Sequence, residues 1–151
     1  MHIRPARPSD HAALARMRHA LWPDGAVAEH ERDLDVIFAG GWSATYPYVI
    51  LVADDGGELA GFAEVTLRSR ADGCDPLRPV GYLEGWYVDE GHRRTGVGRE
   101  LMRAAEDWAR GQGCSEMASD TWLDNDASQR AHEALGYEVV DRVVHFKKRL
   151  D

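Results

Sequence analysis

A strand pattern, a loop rich in arginine and glycine, a helix pattern and a second strand pattern follow one another in the second half of the chain. The first strand, Val80–Val88, is rich in aromatic and branched side chains, and residues 98–110 carry apolar side chains at helical spacing. The second strand is short and covers residues 117–121. A strand, a helix and a strand in this order pair in parallel through a right-handed crossover. This succession predicts an α/β fold.

The chain before this unit is predicted to contain a short strand, two helices and a hairpin. The first strand lies around Ile3, and the second helix is stopped by Gly40 and Gly41. Residues 48–53 and 59–67 are apolar and flank a turn that contains glycine, which is the pattern of two antiparallel strands in a hairpin. Together with the parallel unit, the hairpin predicts a mixed sheet.

The last part of the chain is predicted to add a helix and further strands. Residues 127–135 form the helix pattern, which Gly136 closes, and residues 137–148 supply one or two final strands. Within the first strand of the parallel unit, Gly85 marks a bulge or a close approach by another backbone or a ligand. No repeat, linker or low-complexity tract interrupts the pattern, so residues 1–151 are predicted to form a single domain.

The amino-acid composition limits the partners of the chain. With 18 basic and 26 acidic residues the net charge is -8, which disfavours nucleic acid or an anionic membrane and suits a cationic ligand. No apolar run approaches the roughly 18 residues of a membrane span, and no signal-peptide pattern is present. Cys74 and Cys114 are isolated thiols, so neither a disulfide nor a metal site is predicted. A cytoplasmic protein is expected.

The loop between strand and helix, residues 93–98, has the composition of an anion site. Its backbone N–H groups lie at a helix N-terminus, where the helix dipole also favours negative charge. Its two glycines let the chain pass close to phosphate oxygens, and Arg93, Arg94 and Arg99 add charged donors. The loop is neither a Walker A sequence nor a full dinucleotide fingerprint. It favours a pyrophosphate ligand, although a plain junction between loop and helix also uses such glycines.

In its context this loop resembles a motif of the GNAT (acyl-CoA N-acyltransferase) superfamily. The sequence Arg-x-x-Gly-x-Gly follows the strand Val80–Val88 and precedes an amphipathic helix, as it does in that superfamily. A second superfamily motif is similar to the stretch from Asn125 to Tyr137, which reads Asn-x-x-Ser-x-x-x-His-x-x-Leu-Gly-Tyr. Within the superfamily the chain most resembles aminoglycoside 6'-N-acetyltransferases, through residues 21–23, 72–75, 80–88 and 117–121.

The resemblance implies the GNAT fold, in which a mostly antiparallel sheet flanked by helices splays open at one parallel pair of strands. It also implies acetyl-CoA as cosubstrate and no metal, with the pantetheine arm pairing against β-strand backbone where the sheet splays. The residues that it implies for acetyl-CoA binding are Trp86, Tyr87, Val88, Arg93, Arg94, Thr95, Gly96, Val97, Gly98, Arg99, Asn125 and Ser128. Capping of the following helix is a second role for Asn125.

The resemblance further implies direct attack of an amine on the thioester in a ternary complex. Two carboxylates are candidates for the base that accepts the ammonium proton: Glu84, beside the predicted splay, and Asp120, its companion at the end of the next parallel strand. The backbone N–H of Val88 is predicted to bind the thioester oxygen. His132 stands where many members carry a tyrosine that acts as the acid, so both His132 and Tyr87 are candidates for the proton donor.

The predicted acceptor is a polycationic aminoglycoside, acetylated at its 6'-amino group with antibiotic resistance as the result, and the net acidity suits it. Its predicted binding residues are Trp22, Tyr82, Glu84 and Asp120. The alternatives are another small amine, a protein N-terminus, or a non-catalytic CoA-binding sensor. The resembled enzymes are commonly dimers, and a homodimer is predicted in which the final segment pairs through its apolar residues Val139, Val140, Val143 and Val144.

Overall fold

The computed structural model describes all 151 residues and has a five-stranded sheet at its centre. The strands are β1 (His2–Pro5), β2 (Tyr48–Asp55), β3 (Glu58–Arg68), β4 (Val80–Val88) and β5 (Met117–Ser119). Their order in the sheet is their order in the chain. Neighbours from β1 to β4 are antiparallel, whereas β4 and β5 are parallel. The predicted mixed sheet with one parallel pair is confirmed.

Four α-helices cover the two faces of the sheet. They are α1 (His11–Leu21), α2 (Val27–Phe38), α3 (Val97–Gly111) and α4 (Asp126–Glu133). On one face, Leu14 of α1 and Leu34 of α2 pack with Phe62. On the other face, Leu101 of α3 packs with Val65, and all five of these side chains are withdrawn from solvent. α1, α2 and α3 therefore bury the apolar stripes that the sequence predicts, whereas α4 has no buried residue. None of the helices combines the length and the apolar character needed to cross a membrane.

The connection between β2 and β3 is a tight turn at Gly56 and Gly57. Both residues have positive φ angles, 68° and 99°. A type I′ turn requires positive φ at both central positions, and glycine adopts it without strain. Asp54 Oδ1 accepts the N–H of Gly57 at 2.7 Å, while Asp54 Oδ2 accepts a hydrogen bond from Arg4 of β1 at 2.9 Å. The predicted hairpin is confirmed, and its turn is also tied to the edge strand.

A bulge interrupts the ladder between β3 and β4. Glu64 lies opposite Gly85, whereas the next residue of β3, Val65, lies opposite Leu83. Glu84 is therefore the extra residue of a β-bulge, and it faces the same side of the sheet as Gly85. The prediction that Gly85 marks a bulge is confirmed. The bulge points the Glu84 side chain to the face covered by α1.

Gly85 also leaves room for an aromatic ring, because a Cβ built there would lie 2.6 Å from two carbons of Trp22. We expect Gly85→Ala to lower the free energy of unfolding by about 1–3 kcal/mol, the usual effect of overpacking a filled site. Urea denaturation measures it. Gly111→Ala is the control, because nothing lies within 4 Å of a Cβ at that helical position. If Gly85→Ala unfolds at the urea midpoint of the parent, the close approach of Trp22 does not constrain β4.

The prediction of one or two final strands at residues 137–148 is wrong. Tyr137 donates the last hydrogen bond between two backbone groups, and residues 138–151 make none of this kind. A strand needs a neighbouring ladder, and within one chain this segment has no strand beside it. Its apolar side chains are exposed as well, Val144 to 70% and Phe146 to 92%. Sequence pattern alone therefore misjudged a segment that has no neighbouring strand within the chain.

Candidate active site

The loop before α3 presents unpaired backbone N–H groups. α3 begins at Val97, its N-cap Gly96 has a φ of 93°, and no side chain caps the first turn. Arg94 also has a positive φ, 63°, and the hydroxyl of Thr95 donates to the carbonyl of His92. These left-handed residues curl the loop around the free N–H groups, at the positive end of the helix dipole. The loop therefore has the geometry of an anion site.

The arginines around this loop differ in what they bind. All three are exposed at the surface. Arg93 donates from Nε to the carbonyl oxygen of Val88 at 2.9 Å, which ties the loop to the end of β4. Arg94 and Arg99 form no hydrogen bond or ion pair with the rest of the chain through their side chains. Their guanidinium groups are free to pair with phosphate oxygens.

The edge of β4 is open beyond the end of β5. The two strands pair only as far as Ser119, which lies opposite Leu83. The N–H of Asp89 donates to Ala60 of β3 at 2.9 Å. Because successive N–H groups of a strand point to opposite sides, the N–H of Val88 points away from β3, to the side where β5 has ended. This is the splay at which the pantetheine arm is predicted to bind.

Trp86 and Tyr87 are adjacent aromatic residues of β4, and their side chains lie on opposite faces of the sheet. Trp86 lies against Gly98 of α3, where a Cβ would be 3.1 Å from the indole, and its ring meets His132 edge-to-face at 5.3 Å. The indole Nε1 is buried and has no hydrogen-bond partner. Tyr87 faces the opposite side and packs 6.1 Å from Phe62, and burial raises the pKa of its hydroxyl. Tyr87 is therefore an aromatic wall on the α1 side, away from His132.

α4 holds the remaining predicted residues of the cofactor side. Asn125 Oδ1 accepts the N–H of Ser128 at 3.0 Å and so caps the helix. His132 Nδ1 lies 2.7 Å from the Ser128 carbonyl oxygen, which can only accept, so Nδ1 carries the hydrogen. In the neutral ring Nε2 then accepts from the Ser119 hydroxyl at 2.9 Å. The imidazole is thus held in one tautomer against the end of β5.

A cleft of about 380 Å³ lies on the α1 side of the sheet. Its volume is that of a small-molecule site. It contains aromatic faces together with charges of both signs. The lining residues that the site uses are Trp22, Trp42, Tyr48, Glu64, Arg68 and Glu84. Trp22 and Glu84, both predicted to bind the acceptor, are therefore brought together in one cleft.

Glu84 belongs to a connected group at the rim of this cleft. Arg68 donates from Nε to Oε1 of Glu84 at 3.0 Å and from Nη2 to Oε2 at 2.9 Å. The same guanidinium lies over the ring of Tyr82, 3.5 Å from its centre. Tyr82 donates its hydroxyl hydrogen to Asp120 Oδ2 at 2.6 Å. Burial raises the pKa of Tyr82, and the hydrogen bond to Asp120 raises it further, so the hydroxyl stays a donor. The two predicted carboxylates therefore belong to one cluster.

A buried ion pair forms the floor of the cleft. Glu64 is 1% and Arg18 is 3% exposed, and both Arg18 and Tyr48 donate hydrogen bonds to the Glu64 carboxylate. Burial raises the pKa of Glu64, while the charge of Arg18 acts in the opposite direction. The Arg18 guanidinium also lies 5.0 Å from the ring centre of Trp22. The ion pair of Arg18 and Glu64 therefore lies against the indole of Trp22.

The residues of the cleft that bind its two glutamates, together with the buried glutamate itself, were missed from the sequence; they are Arg18, Tyr48, Glu64 and Arg68. Arg18 follows Leu14 by one helical turn and so lies on the buried face of α1. Glu64 stands inside an otherwise apolar strand. A charge at an apolar position signals a buried partner, because an unpaired charge there is costly. Arg68 gave no such signal, since it ends a strand and precedes a loop.

Comparisons with known proteins agree with this geometry. The model of the acetyltransferase (GNAT) family matches residues 14–137. An aminoglycoside N(6')-acetyltransferase type 1 of Klebsiella aerogenes is 45% identical over 148 residues, which cover 98% of this chain and 96% of the relative. The apo crystal structure of an aminoglycoside antibiotic 6'-N-acetyltransferase from Acinetobacter haemolyticus has a TM-score of 0.88 at 34% identity and covers 100% of both chains.

A further solved structure is similar in the same degree. It contains an acetyltransferase in complex with a bisubstrate analogue, CoA-S-monomethyl-acetylneamine, with a TM-score of 0.87 and 34% identity over 99% of this chain and 98% of the other. The chain belongs to the GNAT acetyltransferase family. The fold and the family that the motifs predict are therefore both confirmed.

The residues present fit a CoA thioester. Free N–H groups and unpaired arginines at the start of α3 match a pyrophosphate. The open edge of β4 offers strand-like hydrogen bonds to an extended arm, ending at the N–H of Val88. The buried and unpaired Nε1 of Trp86 lies on the same side, between α3 and α4. An unpaired buried donor calls for a partner that the chain itself does not supply.

Proposed function

We propose that this protein transfers the acetyl group of acetyl-CoA to the 6'-amino group of an aminoglycoside. The bulge at Glu84 is the observation that carries the proposal. It turns a carboxylate into the acceptor cleft on the same strand on which Val88 presents its N–H to the open edge. The acceptor therefore approaches β4 from the face covered by α1, and the donor approaches it from the open edge. The names of relatives that cover nearly the whole chain support the same substrate class.

Glu84 and Val88 supply the two interactions that the reaction needs from this strand. Bound acetyl-CoA contributes the thioester whose acetyl group is transferred. Glu84 attracts the ammonium of the acceptor and accepts its proton, directly or through a water molecule, which leaves a neutral nucleophile. The N–H of Val88 donates to the acyl oxygen as negative charge develops there. Asp120 and Tyr82 bind further polar groups of the acceptor at the same rim.

His132 is the proposed donor of the proton that the departing sulfur takes up. Its Nδ1 is fixed by the Ser128 carbonyl, so Nε2 is the atom that exchanges a proton, next to the Ser119 hydroxyl. The ring also lies beside Trp86, on the cofactor side of the sheet. To act as the acid, the ring must carry a hydrogen on Nε2 as well as on Nδ1, and it returns to the neutral tautomer when the departing thiolate takes the Nε2 proton.

Mass spectrometry of kanamycin A after incubation with the protein and acetyl-CoA tests the substrate. We expect a gain of one acetyl group, and fragmentation that assigns it to the 6'-nitrogen. Spermidine and a peptide with a free N-terminus serve as comparison acceptors. Turnover of either comparison amine without turnover of any aminoglycoside would contradict the proposal. Binding of acetyl-CoA without release of free thiol in the presence of any amine would favour a sensor.

Aminoglycoside resistance is the proposed cellular role, exerted in the cytoplasm where acetyl-CoA is available. Acetylation removes a positive charge from the antibiotic and blocks one of its hydrogen-bonding groups. A susceptible bacterium that expresses this chain is expected to grow at kanamycin concentrations that stop the control strain. Equal growth limits for the two strains would contradict this role, even if the purified protein is active.

The final segment, residues 138–151, is the proposed contact of a homodimer. It makes no hydrogen bond between two backbone groups within its own chain, and its exposed side chains include Val144, Phe146 and Leu150. β5 pairs with β4 on one side and offers its other edge to a further strand. Both features are explained if the segment of each copy pairs with the β5 edge of the other, because both would otherwise leave strand hydrogen bonds unmade.

Size-exclusion chromatography with light scattering tests the dimer. The parent protein is expected to have twice the mass of one chain. Phe146→Asp is expected to shift it towards the monomer, because a charge would enter an apolar contact. Leu77→Asp is the control, since Leu77 is an equally exposed apolar residue outside the segment. A monomeric parent, or equal behaviour of the two variants, would rule out this contact.

A further inference from the structure

Arg68 occupies the part of the cleft that a cationic acceptor needs. Its guanidinium makes two parallel hydrogen bonds with the carboxylate of Glu84, at 3.0 and 2.9 Å. It also lies 3.5 Å from the ring centre of Tyr82, on the face to which a cation binds. We propose that Arg68 is an internal occupant of the acceptor's ammonium site, and that the substrate amine displaces it. This inference rests on the proposed function, because it concerns the same acceptor.

The distribution of charge in the cleft supports this assignment. Arg18 is engaged with Glu64 in the floor, so Arg68 is the cation that remains for Glu84. Partial burial lowers the pKa of Arg68, but the hydrogen bonds and the charge of Glu84, together with the charge of Asp120, raise it by more. The net effect is a raised pKa. Arg68 thus sits in surroundings that favour a positive charge. An ammonium at the same place would find the same partners.

Arg68 is also positioned to leave this place. It is the last residue of β3, and the loop at residues 69–79 follows it. Its side chain is 44% exposed and that of Glu84 is 25% exposed, whereas the side chains of the pair in the floor are 4% and 1% exposed. Water competes for an exposed ion pair and makes it weak, while a buried pair is lost only at high cost. Of the two guanidinium groups in the cleft, that of Arg68 is therefore the one that a ligand can displace.

The occupant would determine which ligands enter the site. Arginine keeps its proton at neutral pH, so its guanidinium engages both oxygens of the Glu84 carboxylate until another cation arrives. A neutral sugar brings no charge to replace the guanidinium, and displacing Arg68 would leave Glu84 unpaired. An aminosugar replaces one cation by another. Arg68 thus acts as a specificity determinant that rejects neutral sugars and admits ammonium groups.

Steady-state kinetics of Arg68→Met with kanamycin A and acetyl-CoA test the inference. The variant keeps most of the apolar stem and removes the charge, so the KM for kanamycin A is expected to fall by roughly fivefold with kcat little changed. Arg68→Lys keeps a competing cation and is expected to retain a KM near that of the parent. Arg70→Met removes the same charge from an exposed site without a hydrogen bond to Glu84, and its KM should equal that of the parent.

The outcomes that overturn the inference differ from those that overturn the proposed function. A KM that rises in Arg68→Met, or a kcat that falls while KM stays constant, would mean that Arg68 positions Glu84 for catalysis. An equal fall of KM in Arg70→Met would attribute the effect to net charge alone. Either result would overturn the proposal that Arg68 occupies the ammonium site. Failure of the parent protein to acetylate any aminoglycoside removes the proposed function instead.

In that event calorimetry with spermidine as a cationic probe still tests Arg68. Tighter binding to Arg68→Met than to the parent and to Arg70→Met would support displacement of an internal cation. Equal binding to the three proteins, or no binding to any, would overturn it. Thermal unfolding without ligand checks that each variant is folded, which is expected because both arginines are exposed.

Discussion

An Arg18→Met protein is expected to lose about 3–5 kcal/mol of the free energy of unfolding, because the substitution leaves a buried carboxylate without its cation. Arg18 and Glu64 are 3% and 1% exposed, and Tyr48 would be the one remaining donor to that carboxylate. Methionine keeps the length and the apolar stem of the arginine. Urea denaturation followed by circular dichroism measures the change.

Two further variants separate the ion pair from the general effect of losing a charge. Arg16→Met lies on the same helix, but its side chain is 60% exposed and 3.5 Å from Asp89, so a loss of at most about 1 kcal/mol is expected. Adding Glu64→Gln to Arg18→Met removes the uncompensated charge and should restore part of the lost stability. If Arg18→Met and Arg16→Met unfold at the same urea concentration, the buried pair does not stabilise the floor of the cleft.

Glu84→Gln is expected to reduce kcat/KM for an aminoglycoside by about 10²–10⁴-fold, the usual contribution of a positioned general base. Glutamine keeps the size of the side chain but neither attracts an ammonium nor accepts its proton. The affinity for acetyl-CoA should not change, because the loop and the open edge that are proposed to bind it are formed by other residues. Initial rates and calorimetry with CoA measure the two quantities.

Glu58→Gln is the matched control for this variant. Glu58 is an exposed carboxylate at the start of the preceding strand and takes part in no side-chain hydrogen bond or ion pair. Its substitution removes the same charge and should leave kcat/KM unchanged. A decrease of less than about threefold in Glu84→Gln would exclude Glu84 as the base, and Asp120 would then be the carboxylate to substitute next.

The sheet was predictable because its elements are determined by neighbouring residues. The two glycines after Asp55 specify the hairpin through their positive φ angles, and the apolar spacing of α3 specifies the crossover between β4 and β5. Gly85 was a further local signal, since a glycine inside a strand marks an irregularity in the ladder. Patterns of this kind need no knowledge of distant contacts.

The final segment shows what such patterns cannot decide. Four of the six residues from 139 to 144 are valines, which favour a strand, but a strand exists only where a second strand accepts its hydrogen bonds. Neither the identity of that second strand nor the chain to which it belongs is written in the segment itself. In the single chain, Val143 and Val144 are exposed instead of paired.

Some residues of the candidate site could likewise be predicted from short sequence patterns, and others could not. The motifs that predict Glu84, Asp120 and the loop at residues 93–98 each span a short stretch of the chain. Arg68 and Glu84 are 16 positions apart in the chain. They meet only because β3 and β4 are antiparallel neighbours in the sheet. The pair of Arg18 with Glu64 joins a helix to a strand 46 positions away. Contacts over such separations depend on the completed fold, and no single motif records them.

One extra residue in β4 links the two halves of the proposed chemistry. A bulge adds twist and bends its strand. Residues before it keep their pairing with β5, up to Leu83, whereas residues after it, up to Val88, run on without that neighbour. The bulge thus lies at the point where β4 leaves its pairing with β5. Deletion of Glu84 would remove the proposed base and the bulge together, so a β4 shortened by this one residue would change the acceptor cleft and the register of the strand that borders the open edge.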